Sequence, residues 1–167
     1  NNGEAITIED FVWTSAFGCS PVATELGAKV SSYLTIVGGQ EYYDGTASTI
    51  SGLRILDDNT LSIQIVADKV PYYYDITYAG FTAYDMDFWL GDGVAPKDDG
   101  EGVYFEGFTK EGSEASFTAA RFMASPERVS AGPYNLVEFD QAAKQATLEA
   151  NPNYAGNYEG VKPSIEK

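Results

Sequence analysis

The stretch Ile50-Ser51-Gly52-Leu53-Arg54-Ile55-Leu56-Asp57-Asp58-Asn59-Thr60-Leu61-Ser62-Ile63-Gln64-Ile65-Val66 decides the fold class of this chain. Leu53 and Ile55, then Leu61, Ile63 and Ile65, alternate with mostly polar neighbours, the period of a strand with one buried face. Asp57-Asp58-Asn59 breaks the alternation with side chains that bond their own backbone in turns. The stretch therefore predicts a β-hairpin. A second alternating pair lies far downstream, Tyr134 to Phe139 and Ala146 to Ala150, joined by the polar link Asp140 to Gln145. It too reads as a hairpin.

Helical signals flank the first hairpin. Thr7 followed three residues later by Asp10 is a capping-box start with Asp in place of Glu, and it predicts a helix from Thr7 to Phe17. Ile8, Phe11, Val12 and Ser15 fall on one stripe, Glu9 and Asp10 sit at the favourable end of the dipole, and Gly18 and Pro21 stop the helix. A second helical reading spans Val30 to Tyr43, with Tyr33, Leu34 and Val37 on one face and Gly38-Gly39 as a break or kink. Val70-Pro71-Tyr72-Tyr73-Tyr74 reads as a helix start with Pro in its first turn, in preference to a ligand platform. Helices and hairpins together predict an α/β chain of the mixed α+β kind.

Residues 85–114 carry nine acids against Lys97 and Lys110, with six glycines between Gly91 and Gly112. That composition predicts a long acidic loop, functional or mobile. Asp92 to Glu101 offers oxygen ligands but not the spaced pattern of an EF-hand, so a solvated surface loop is expected there in preference to a calcium site.

At 167 residues the chain fits one globular domain or two small lobes of a larger fold, and no run approaches the ~20 apolar residues of a membrane helix. The formal net charge of -15 would repel a phosphate backbone, so nucleic acid is not an expected partner. There is no His and only one cysteine, Cys19, which closes Ser-His-Asp and Cys-His catalysis, disulfide frameworks and zinc-thiolate sites. No phosphate-binding glycine motif is present. Asn1-Asn2-Gly3-Glu4 has no signal-peptide character, so the expectation is a cytosolic protein or a mature or trimmed piece. No metal and no cofactor is expected. The many acids and aromatics leave two alternatives open, a carbohydrate-binding or glycoside-acting extracellular domain with a pair of carboxylates and a cell-surface interaction module that uses the acidic 85–114 loop.

Four blocks, in order, carry a family resemblance. Ile6-Thr7-Ile8-Glu9-Asp10-Phe11-Val12-Trp13 resembles the "ITAEDFVYS" helix start of bacterial extracellular solute-binding proteins of the oligopeptide, dipeptide and nickel class. Ile50 to Ile63 resembles that family's "LDDxT" hairpin, and Val70 to Tyr74 its "VPYFY". Ser130-Ala131-Gly132-Pro133-Tyr134-Asn135-Leu136 and Leu148-Glu149-Ala150-Asn151-Pro152-Asn153-Tyr154 are similar to its "GPYKL…LEANPxYW". The resemblance covers about 4–17, 33–78 and 129–165, while 79–128 departs from it.

The resemblance implies a partial periplasmic-binding-protein-like fold (type II, cluster C). Residues 1–125 would form most of the small outer lobe and 129–167 a hairpin of the ligand-binding lobe, both within a longer two-lobed protein. It implies a non-enzymatic, extracytoplasmic substrate-binding component of an ABC importer, periplasmic or lipid-anchored. Its partners would be an oligopeptide ligand and the membrane permease, and this piece alone would bind little peptide. Two family contact regions fall at Val22, after Ser20-Pro21, and at Ala79, where the expected residue types differ. Tyr78, Phe81 and Tyr84 lie near that edge and are the candidates for a ligand-facing surface.

Overall fold

The structure, a computed structural model, describes residues 3–29, 35–70, 81–121 and 128–165. These contain α1 (Ile8–Gly18), α2 (Pro21–Glu25), α3 (Gly39–Tyr43), β1 (Leu53–Asp57) and β2 (Thr60–Ile63). They continue with α4 (Met86–Leu90), β3 (Ala95–Asp98), β4 (Val103–Glu106), α5 (Lys110–Arg121), β5 (Tyr134–Asp140) and β6 (Gln145–Ala150). The strands pair as three antiparallel ribbons, β1–β2, β3–β4 and β5–β6. The class is mixed α and β with small antiparallel sheets.

Helix α1 begins where the sequence places it. The Asp10 carboxylate accepts from the Thr7 amide (2.8 Å) and lies 3.3 Å from the Thr7 hydroxyl, satisfying an amide that the helix itself leaves unpaired. The buried stripe is rotated from the expected one. Val12 and Ser15 are buried as predicted, but Phe11 is exposed and Ile8 half-buried, while Trp13 and Ala16 go inside. The reason is that α1 divides two cores instead of covering one. Val12, Ala16 and Cys19 pack with Ile36, Ile50, Leu53 and Val103. Trp13 packs on the other side with Met86, Leu90, Val94, Phe108 and Phe117. Phe105 packs against both clusters. Cys19 is fully buried, and the loss of hydration pushes its thiol up to about 12, which makes it an inert packing residue.

The first hairpin forms as predicted. Leu53 faces Ile63 and Ile55 faces Leu61, so the alternation does put these four on one side, against the first core. Asp57 Oδ1 accepts from the Asn59 amide (2.8 Å), which fixes the turn. The ribbon is held to its surroundings by bridges from Ile36 to Ile65 and from Ile50 to Val103.

The expected helix over 30–43 is not what forms in its described part. Ile36 is drawn into the bridge with Ile65, and the helix starts only at Gly39. Gly38, with φ +78°, caps that start, and a side chain there would meet the Ser51 amide and hydroxyl. The glycine pair therefore begins a helix that the sequence reading had it interrupt. Residues 30–34, with Tyr33 and Leu34, lie outside the described residues, as does the helix start expected within 71–80.

The acidic segment 85–114 is also corrected: it is folded, not a loop. Asp85 Oδ1 caps α4 by accepting from the Phe88 amide (2.8 Å). Asp98 and Asp99 hold the β3–β4 turn, with Asp98 Oδ1 accepting from Gly100 (2.8 Å) and Asp99 Oδ1 from Glu101 (2.9 Å) and Gly102 (3.1 Å). Gly107, at φ +74°, passes so close to the Gly93 carbonyl that a Cβ has no room. Acids and glycines at these positions make turns and caps, while Leu90, Val94, Val103, Phe108 and Phe117 supply the core.

The Tyr134–Ala150 hairpin forms as predicted, from Tyr134 opposite Ala150 to Asp140 opposite Gln145, with a bulge between Leu136 and Glu138. Asp140 Oδ1 accepts from Ala142 (2.8 Å) and Ala143 (2.9 Å) at its tip. No residue of 128–165 belongs to either buried cluster.

Candidate functional site

Segment 81–85 runs beside the start of α1 and is held there by long-range bonds, the two shortest of them made by Tyr84. The Tyr84 amide donates to the Asp10 carbonyl (3.1 Å), and Trp13 Nε1 donates to the Tyr84 carbonyl (2.8 Å). This anchoring places Phe81 and Tyr84 on two different grooves, both of which Ile6 and Thr7 also line. Tyr78 lies outside the described residues.

The smaller groove, about 400 Å³, is apolar. Ile6, Ile8, Phe11, Leu61 and Phe81 line it, with Asp58 and Asn59 of the first hairpin's turn. Phe81 is half-buried and packs against the first core, so its primary work is structural.

The larger groove, about 880 Å³, is wide, half open to solvent and lined by polar and apolar surface alike. One wall is Gly3 to Thr7 with Glu9, Asp10 and Ala83 to Asp87; the other is Arg128 to Ala131 with Asn151 and Asn153 to Gly156. Tyr84 stands on the first wall, partly exposed, its ring edge-on to Trp89 at 6.1 Å. Asn151 organises the second wall. It is buried, its amide donates to the Pro133 carbonyl (2.8 Å), its Nδ2 donates to the Gly132 carbonyl (2.9 Å), and its Oδ1 accepts from Asn153 (3.0 Å).

The first wall is rich in carboxylates, and several have local structural work. Asp10 and Asp85 cap α1 and α4, and Glu9 lies 3.8 Å from Lys97. Asp87 is perturbed: partial desolvation, then the charges of Asp85, Asp92, Glu4 and Asp10, push its carboxyl above the usual range. With Arg128 opposite, the cleft suits neutral hydrogen-bonding or cationic groups better than anions.

Asp87 yields a test with a defined sign. A carboxyl whose folded pKa is raised holds its proton more tightly in the folded state, so its contribution is complete below the unfolded value and is lost as pH rises through the folded value. Asp87→Asn is therefore expected to raise the thermal midpoint at about pH 7 and to leave it unchanged at about pH 3. Because Asp87 is exposed, the gain is small. An equal gain at both pH values would show that the carboxylate charge is not its source.

Sequence reasoning did not single out Asn151, Arg128 or Asp87 for this groove. Asn151 was legible as part of the Leu148-to-Tyr154 block, but its burial depends on Gly132 and Pro133, far away in the chain. Among the described residues no group of three or more Cys, Asp or Glu is placed to hold a metal ion, and no helix is long and apolar enough to cross a membrane. No family model, no curated protein and no solved structure matches the chain.

Proposed function

We propose that the chain is part of a substrate-binding component of an ABC importer, the kind that captures extracellular oligopeptides and delivers them to a membrane permease. The observation that carries this reading is the ordered set of four sequence blocks. Three have described structure: a capped helix, the Leu53–Ile63 hairpin and the Tyr134–Ala150 hairpin closed by Asn151. A cleft of about 880 Å³ between the helix-start wall and the Asn151 wall is in keeping with capture. On this reading the fold is a partial periplasmic-binding-protein-like one, and Tyr84, on the cleft wall, is the ligand-facing residue among the described candidates.

Titration calorimetry of the full-length parent protein with a mixed peptide hydrolysate, and with a mixture of oligosaccharides, tests the proposal. Saturable heat with peptides and none with saccharides is expected. The reverse pattern overturns it in favour of a carbohydrate-binding domain.

A further inference from the structure

The chain contains three Asp-Gly steps, Asp44-Gly45, Asp92-Gly93 and Asp99-Gly100. In such a step the glycine nitrogen lies next to the aspartate Cγ, and the absent side chain leaves its approach unhindered. Distance never limits an attack between them. What limits it is whether the carboxyl and the amide are already held by other bonds.

Two of the steps are held on both sides. Asp44 Oδ2 accepts from Gln40 Nε2 (2.9 Å), and the Gly45 amide donates to the Tyr42 carbonyl (3.1 Å). Asp99 Oδ1 accepts from the Glu101 and Gly102 amides, and the Gly100 amide donates to Asp98 Oδ1 (2.8 Å). Asp92-Gly93 is the exception. Both residues are exposed, and among the described residues neither the Asp92 carboxyl nor the Gly93 amide has a hydrogen-bond partner. Gly91 and Gly93, each at φ +86°, flank the aspartate, and a side chain at Gly93 would meet open space.

We propose that Asp92 is a self-modification site, where the chain converts its own aspartyl bond to an isoaspartyl one. The Gly93 nitrogen attacks Asp92 Cγ: the N–Cγ bond forms, the Cγ–OH bond of the neutral carboxyl breaks, and the amide proton and the hydroxyl leave as water. Water then opens the resulting succinimide at the main-chain carbonyl of Asp92. The chain now runs on through Cγ, and the old carbonyl becomes a free carboxylate. The main chain thereby gains one methylene. That insertion falls just before Val94, which is 5% exposed in the second core, and beside the tight approach of the Gly93 carbonyl to Gly107. The reaction takes only water, calls for no docking surface, and is independent of capture in the cleft.

The test is peptide mapping of the chain after prolonged incubation in mildly acidic buffer, with fragmentation that distinguishes isoaspartate from aspartate. Cleavage after lysine and arginine puts the three steps on separate peptides, 30–54, 70–97 and 98–110. Isoaspartate at Asp92 is expected to exceed that at Asp44 or Asp99 at least about tenfold, since either of those steps must first give up its hydrogen bonds. In denaturant the three steps are expected to draw level. Asp92→Glu keeps the charge but closes a ring only slowly, and it is expected to leave peptide 70–97 free of isoaspartate. Relative to fresh protein, incubated wild type is expected to lose thermal midpoint and incubated Asp92→Glu to keep it. Isoaspartate spread equally over the three peptides of the folded chain overturns the proposal, and so does an unchanged preference for Asp92 in denaturant. A midpoint that stays the same in isomerised protein overturns the link to the second core.

Discussion

Trp13→Ala is expected to cost about 3–5 kcal/mol of folding free energy in urea denaturation, a larger effect than the other substitutions considered among the described residues. Trp13 is 4% exposed and fills the centre of the second core, with its ring edge-on to Phe17 at 5.8 Å. Truncation leaves a cavity and also removes the indole donor that meets the Tyr84 carbonyl at 2.8 Å. Since domains of this size hold only about 5–15 kcal/mol in total, the change removes a large share of the stability. Trp13→Phe separates the two contributions, because it keeps most of the volume and loses the donor. It should cost about 1–2 kcal/mol. A Trp13→Ala cost below about 1 kcal/mol would mean that the second core does not depend on this ring.

Asp98→Ala is expected to be the next largest, at about 2–4 kcal/mol. Its side chain is 8% exposed. One oxygen accepts from Arg54 Nε and from the Ile55 amide, both at 2.8 Å, and the other from the Gly100 amide at 2.8 Å. A single carboxylate thus ties the first hairpin to the second. Burial pushes its carboxyl up, but the Arg54 hydrogen bond and the Gly100 and Ile55 amides outweigh that and hold it below the ordinary range. A depressed folded pKa gives stability that is full above the unfolded value and lost as pH falls through the folded one. Wild type should therefore lose stability on acidification below about pH 4, and Asp98→Ala should lose less over that interval. Parallel acid profiles for the two proteins would remove Asp98 as the source.

The elements that sequence reading found are those decided by neighbours in the chain. The Thr7–Asp10 cap, the Asp57 turn and the alternation of Leu53, Ile55, Leu61 and Ile63 all act within a few residues. What it missed was decided at long range. The stripe of α1 turned because Trp13 meets residues from 86 to 117, and Ile36 left its expected helix for Ile65. Segment 85–114 read as a loop because acids and glycines were counted by composition, whereas their positions at a cap and at tight turns are what fold it. The larger cleft was illegible for the same reason. Its walls come from four separated stretches, and of the described candidates Phe81 and Tyr84 it is Tyr84 that stands on it.

The larger cleft joins two walls built on different principles. One is anchored through Trp13 and Tyr84 to the second apolar core; the other is knotted on itself by Asn151 and gives no residue to either core. Each wall is held by contacts of its own, so no buried cluster spans the larger cleft and its two sides meet only at their surfaces.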